Sequence, residues 1–327
     1  MYRVSGFKFM IVGIGLCLAT SACAEQASAS AAPAAGREPA VFYGTWGENL
    51  PGIAVYTAST GRRLKVLVPQ EPGGGVLQIA LAPGGRTLAF TAGDGTCGTL
   101  IESVATSGGT VHVLVPEGHQ HGGTPALGPS YSPDGRYFSY TTMYCDGGAL
   151  FLHIRNLRTG VTHSYRTGLG AMGLVFLRGD RQAVVQGVAP PASGAYRSAG
   201  EHLTVVSLPS LAVRSYRAPA GCLFDQVAGT ESRLIAALTC GKHRVLSVVS
   251  LSTRTFRVTG TVARLGDCLY AYDLSLATDG AVLVAAEGGP DACPSAARRT
   301  EIAAIQGGHA RTILASKGYG LPGGVVW

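Results

Sequence analysis

Apolar and polar positions alternate in short runs along most of the chain, as in LIESVA (Leu100–Ala105) and LTVVS (Leu203–Ser207), and clusters of Gly, Pro, Asp, Ser and Thr separate the runs. Period-two runs bounded by turn residues predict β-strands, and no stretch holds the 3.6-residue period of an amphipathic helix. The stretch SYSPDGRYFSYTT, Ser130–Thr142, shows the unit most plainly. Pro133 presets φ for the second position of a turn, Asp134 bonds to nearby amides, and Gly135 accepts positive φ. Tyr131 on one side and Tyr137, Phe138 and Tyr140 on the other are aromatic residues suited to strands. The stretch is predicted to be a hairpin.

The hairpin recurs. ALAPGGRTLAFTA, LVFLRGDRQAVVQG, DQVAGTESRLIAALT and DLSLATDGAVLVAAE repeat its pattern, placing Arg86, Arg136, Arg181, Arg233 and Ala281 at successive steps of 50, 45, 52 and 48 residues. Such periods signal a solenoid or a propeller. A second alternating hairpin follows each copy, and a further one, IAVYTASTGRRLKVLV from Ile53, precedes the first. Six second hairpins against five first ones are reconciled if VFYGTW, from Val41, and the final GLPGGVVW supply the two strands of the missing hairpin. Pairing the ends of the chain also removes two exposed sheet edges. Residues 41–327 are therefore expected to form an all-β, six-bladed β-propeller of four-stranded antiparallel blades, with about 48 residues to a blade.

With Ser132-Pro133-Asp134-Gly135-Arg136, Ala82-Pro83-Gly84-Gly85-Arg86 and that spacing, the chain resembles the TolB-like propellers built from WD40-like PD40 repeats. The resemblance implies the architecture and carries no particular activity. Ahead of the repeats, Arg3 and Lys8 precede an apolar run, Phe9–Ala19, too short to span a bilayer. Residues 1–22 are expected to be a signal peptide. Thr20-Ser21-Ala22-Cys23 resembles a lipobox, so Cys23 is expected to be lipidated; ordinary cleavage at Ala22-Cys23-Ala24 is the alternative. Residues 23–40, rich in Ala, Ser and Pro, have too few large apolar side chains for a core and are expected to be a flexible tether.

Charge narrows the partners. The formal net charge of +7 becomes +5 once Arg3 and Lys8 leave with the signal, and no basic run exceeds two residues. That spread is a solvated surface, and no nucleic-acid partner is expected. Cysteine says more. Leaving aside Cys17 and Cys23, six remain, and an even count in an exported protein reads as disulfides. Cys97, Cys145, Cys240 and Cys293 fall at or after the end of a second strand, and Cys222 and Cys268 fall at the start of a first strand. Those positions share one face of a propeller, which is the expected functional face. Register pairs Cys222 with Cys240 and Cys268 with Cys293, and Cys97 is paired with Cys145 across neighbouring blades.

Candidate binding residues follow from that face. His119 and His121 sit in a Gly-rich loop, and Asp94 and Asp146 in equivalent turns. Tyr196 and Arg197 lie near the tip of a long insertion, Val188–His202. The other histidines, His153 among them, read as surface residues. The strands expected to line the central channel contain only Asp225 and Asp273 as carboxylates. This is thin for a catalytic metal site, and no G-x-S-x-G or H-E-x-x-H occurs. The expectation is a monomeric, non-catalytic binding scaffold without a cofactor or metal. It would be held to a membrane by its lipid anchor and would engage an envelope protein, peptide or glycan. A propeller hydrolase or lyase using Asp225 and Asp273 is the alternative.

Overall fold

The structure is a computed structural model, and it describes residues 41–45, 52–69, 75–93, 98–116, 118, 124–144, 150–167, 174–177, 181–187, 200–208, 210, 212–290, 292–317 and 324–327. Alternation becomes strand wherever turn residues bound it. Blade one is β4 (Gly75–Leu81), β5 (Thr87–Gly93), β6 (Leu100–Ala105) and β7 (His112–Val115). Blade two is β8 (Ala126–Tyr131), β9 (Tyr137–Met143), β10 (Leu150–Asn156) and β11 (Thr162–Thr167). Blade three is β12 (Leu174–Leu177), β13 (Gln182–Gly187), β14 (His202–Ser207) and β15 (Val213–Arg217). Blade four is β16 (Cys222–Gly229), β17 (Leu234–Cys240), β18 (Val245–Leu251) and β19 (Val258–Gly266). Blade five is β20 (Leu269–Leu276), β21 (Val282–Gly288), β22 (Arg299–Gln306) and β23 (His309–Lys317). The closing blade joins the C-terminal β24 (Val325–Val326) to β1 (Val41–Thr45), β2 (Ile53–Thr57) and β3 (Arg63–Val68).

All six sheets have four antiparallel strands, and the innermost strands β24, β4, β8, β12, β16 and β20 touch one another in cyclic order. The chain is a six-bladed β-propeller, closed by its two ends as the repeat count requires: Tyr43 pairs with Val326 and Gly44 with Val325.

The repeated turn explains why the unit survives sequence drift. In blade two Gly135 N–H donates to Ser132 O (2.9 Å), Asp134 Oδ1 accepts from Arg136 N–H (2.8 Å), and Gly135 has φ +71°. Blade one has the same turn without the Asp, and blade five has it without the Pro. The carbonyls of Arg86, Arg136 and Arg181 accept from Thr106, Leu157 and Leu208 N–H respectively, so one long-range bond ties the two hairpins together in each of blades one to three. That shared bond places Arg181 in the repeat register despite its divergent flanks.

The core is divided among the blade interfaces. Six apolar clusters, one between each pair of neighbouring blades, bury Phe42, Phe90, Phe138, Phe176 and Phe224 almost completely. Residues on alternate sides of a strand therefore serve different interfaces. In β21, Val282, Val284 and Ala286 pack toward blade four, while Leu283 and Ala285 pack toward the closing blade.

Candidate functional site

Innermost strands expose one edge to the channel, where their N–H groups lack a strand neighbour. Side chains from the preceding blade fill that need. Asp225, on β16, accepts from Ala271 N–H of β20 (3.0 Å) and from the Thr239 hydroxyl (2.5 Å). Asp273, on β20, accepts from Val325 N–H of β24 (2.7 Å) and from Leu274 N–H (2.8 Å). Gln78, on β4, accepts from Gly128 N–H of β8 (2.7 Å). Gln78, Asp225 and Asp273 each lie eight residues before the register residue of their repeat, Arg86, Arg233 and Ala281. They are one repeated device, and the ladder irregularities in β4, β16 and β20 fall beside them.

The two residues are partly exposed, and protein encloses most of each carboxyl. Burial pushes Asp225 up to about 6, against hydrogen bonds from Thr239 and Ala271 and the field of Arg244 that act the other way. Burial likewise pushes Asp273 up to about 7, opposed by the Val325 and Leu274 amides. Both residues sit on innermost strands, β16 and β20, and their hydrogen bonds hold neighbouring blades together. Among the described residues, no group of three or more His, Cys, Asp or Glu side chains is placed to share a metal ion.

One face of the ring is braced covalently. Cys222 and Cys240 are register partners in β16 and β17, and a disulfide joins them. A second disulfide ties Cys268, just before β20, to Cys293, between β21 and β22. The turn Gly241–Arg244 links the two bridges: Gly241 N–H donates to Gly221 O (2.8 Å) and His243 O accepts from Cys268 N–H (2.9 Å). Arg244 and Cys268 hold left-handed backbone, φ +45° and +58°, which residues with a Cβ seldom adopt outside constrained sites.

Beside the second bridge a cleft of about 840 Å³ is lined by Cys268, Arg298, Arg299, Thr300, Glu301 and Ser316. Asp267 joins it to a shallower cleft that includes Arg264. Arg264 Nη2 meets Asp267 Oδ1 at 3.0 Å, and Arg299 Nη2 donates to Asp267 O (3.2 Å). The strand-end geometry thus puts disulfides, arginines and a cleft on the face singled out by cysteine placement. Arg264 on β19 and Arg298 and Arg299 at the start of β22 carried no sequence signal because they belong to the second hairpins, outside the repeated turn.

His119, His121, Asp94, Asp146, Tyr196, Arg197, Cys97, Cys145 and Cys23 lie outside the described residues. His153 corrects the surface assignment. It is half-buried on β10, stacked on Tyr140 at 4.6 Å, with its two ring nitrogens 2.8 Å from Thr142 Oγ1 and Ser164 Oγ. Burial lowers its pKa. Alternation alone does not distinguish a strand face turned to solvent from one turned to the next blade.

No family model matches the chain, and neither does any curated protein sequence. Solved structures do resemble it. A chain of the nidogen/laminin complex aligns with TM-score 0.60 at 11% identity, covering 88% of this chain and 97% of that one. An oligogalacturonate lyase in complex with manganese aligns with TM-score 0.52 at 10% identity, covering 76% and 67%. TolB from Acinetobacter baumannii aligns with TM-score 0.49 at 11% identity, covering 87% and 74%. At these identities the similarity is one of fold.

Proposed function

We propose that the chain is an exported, lipid-anchored β-propeller that acts as a non-catalytic binding scaffold in the bacterial envelope, engaging a protein, peptide or glycan through its disulfide-braced face. The observation that carries this reading is the division of labour between channel and face. Asp225 and Asp273, the residues a channel-centred hydrolase or lyase would use, accept backbone N–H bonds from the next blade. Two disulfides, two left-handed non-glycine residues and an arginine-rimmed cleft converge instead at one end of blades four and five. Rigid scaffolds commonly carry binding on such strand-end loops. Disulfides also fit an oxidising compartment outside the cytoplasm.

The test is capture of partners from native envelope with the intact, oxidised protein. A variant lacking residues 189–199 and an Arg298→Glu/Arg299→Glu variant serve as comparisons. A partner recovered by the native chain and lost with either variant supports the scaffold and says which part of the face it uses. Recovery of no specific partner, together with turnover of a glycan or ester substrate that Asp225→Ala abolishes, would overturn it in favour of the hydrolase or lyase.

A further inference from the structure

No basic run in the chain exceeds two residues, yet the fold gathers arginines on one face. In a four-stranded antiparallel blade the turns of both hairpins lie at one end, and the connection between the hairpins lies at the other. The disulfides brace the connection end. At the turn end, Arg86, Arg136, Arg181 and Arg233 stand exposed in first-hairpin turns. Arg62, Arg158, Arg254 and Arg257 stand exposed in second-hairpin turns. Among the described residues these turns hold three carboxylates, Asp134, Glu231 and Asp279. The excess of five positive charges equals the whole net charge left once Arg3 and Lys8 are gone. Neighbouring turns also meet: the Arg233 guanidinium lies against Gly280 in the turn of blade five, and Arg311 Nη1 donates to Ser59 O of the closing blade (2.9 Å).

Apolar side chains accompany the charge. Exposed Leu157 and Val161 flank Arg158, exposed Leu64 follows Arg63 at the start of β3, and exposed Val258 follows Arg257. Guanidinium groups meet phosphate headgroups, and aliphatic groups beside them enter the boundary between headgroups and acyl chains. Nucleic acid offers the phosphate without that apolar layer. The entry of the chain agrees. Val41, the first residue of β1, pairs with Thr57, which opens the β2–β3 turn, so the segment that follows Cys23 joins the propeller at the arginine face. At no more than about 3.5 Å per residue, that segment limits the reach from a lipidated Cys23 to roughly 60 Å. We propose that the turn face lies on an anionic phospholipid surface, held by arginines from several blades, and that the disulfide-braced face points away from the membrane. The orientation rests on the lipid-anchored scaffold reading and deepens it by fixing which side meets the membrane.

The test uses the oxidised chain from residue 24 onward, so that no acyl chain masks the face. Co-sedimentation measures binding to phosphatidylcholine vesicles and to vesicles with about one-third phosphatidylglycerol, at about 50 mM and about 500 mM salt. Expected are a partition coefficient at least about tenfold higher on the anionic vesicles and its loss at the higher salt. Arg62→Glu/Arg63→Glu and Arg254→Glu/Arg257→Glu should each lower it by at least about fivefold. Arg298→Glu/Arg299→Glu, on the disulfide-braced face, should bind as the native chain does. Equal binding to both vesicles, no binding at low salt, native binding by either folded turn-face variant, or an equal loss in the disulfide-face variant would overturn the proposal. Tighter binding to a DNA duplex than to the anionic vesicles would overturn it in favour of nucleic acid. If one turn-face variant does not fold, the other decides between the same outcomes. Intact mass of the native protein reads lipidation separately, so failure of the face and failure of the anchor are distinguishable.

Discussion

Asp225 and Asp273 show what a single residue does in a ring of repeats. Each carboxyl is held above its ordinary value by burial, so between about pH 4 and pH 7 the folded chain binds more protons than the unfolded one. The stability these groups contribute is fully present at the acid end and is lost as pH rises through 6 and then 7. The chain is therefore expected to unfold more readily at pH 8 than at pH 5, by on the order of 4 kcal/mol from this source. Asp273→Asn keeps one acceptor for the two amides but turns an NH₂ toward the other, so it should lose about 1 kcal/mol at low pH and show a flatter pH profile. Urea unfolding of the native chain, Asp225→Asn and Asp273→Asn at several pH values checks this, and three parallel profiles would refute it. The strand placement of both residues was legible in the sequence, whereas their shared offset from the register residues gained meaning only with the bonds in view. Their partners were not legible, because a backbone N–H on the next blade leaves no trace in side-chain pattern.

Elements repeat because the turn satisfies the same local need in several blades. Phe138 opens the β9 arm of the blade-two hairpin and fills the interface with blade one beside Ala89, Ile101 and Ala126. Its neighbours are already packed and cannot expand to fill a void, so Phe138→Ala should destabilise by about 3–5 kcal/mol. Phe138→Leu, which keeps most of the volume, should lose less than half as much. Chemical denaturation of both variants measures the difference, and equal losses would show that the interface tolerates rearrangement. Hairpin positions were readable because turn chemistry and period-two alternation agree there. The disulfides of blades four and five were readable too: Cys222 and Cys240 stand opposite once the turn between them is fixed, and Cys268 and Cys293 occupy corresponding places in the next blade. Which interface each strand face serves was less legible, as His153 shows, since both faces of an internal blade meet protein.

At the scale of the molecule, the ring depends on four residues. Gly324 N–H donates to Leu77 O and Gly324 O accepts from Thr45 N–H, each at 3.1 Å, while Val325 N–H reaches Asp273 and Trp327 N–H reaches Ser275 Oγ. This short segment thus bonds to blade one, blade five and the rest of its own blade. Val325 also packs with Phe42 and Tyr56 in the cluster shared with blade five, and the Trp327 ring meets Phe42 edge-on at 6.3 Å. The approach is close enough that a Cβ on Gly324 would stand 2.5 Å from Ile79 N. Removing residues 324–327 would expose the edge of β1 and open the channel side of Asp273 while leaving the other blades' hydrogen bonds intact. Because each interface is buried by a neighbour, an opened ring loses cooperativity from its free ends inward, as stacked repeats do. The truncated chain should therefore be cleaved by protease first in the closing blade, should self-associate through the freed edge, and should unfold well below the native chain. Gly324→Val, which keeps the length but blocks the approach to β4, should reproduce the effect in milder form. Limited proteolysis with mass mapping and size-exclusion chromatography separate the possibilities: uniform cleavage across all blades, with the chain still monomeric, would show that the propeller holds its ring through the blade interfaces alone and that the terminal pairing adds little.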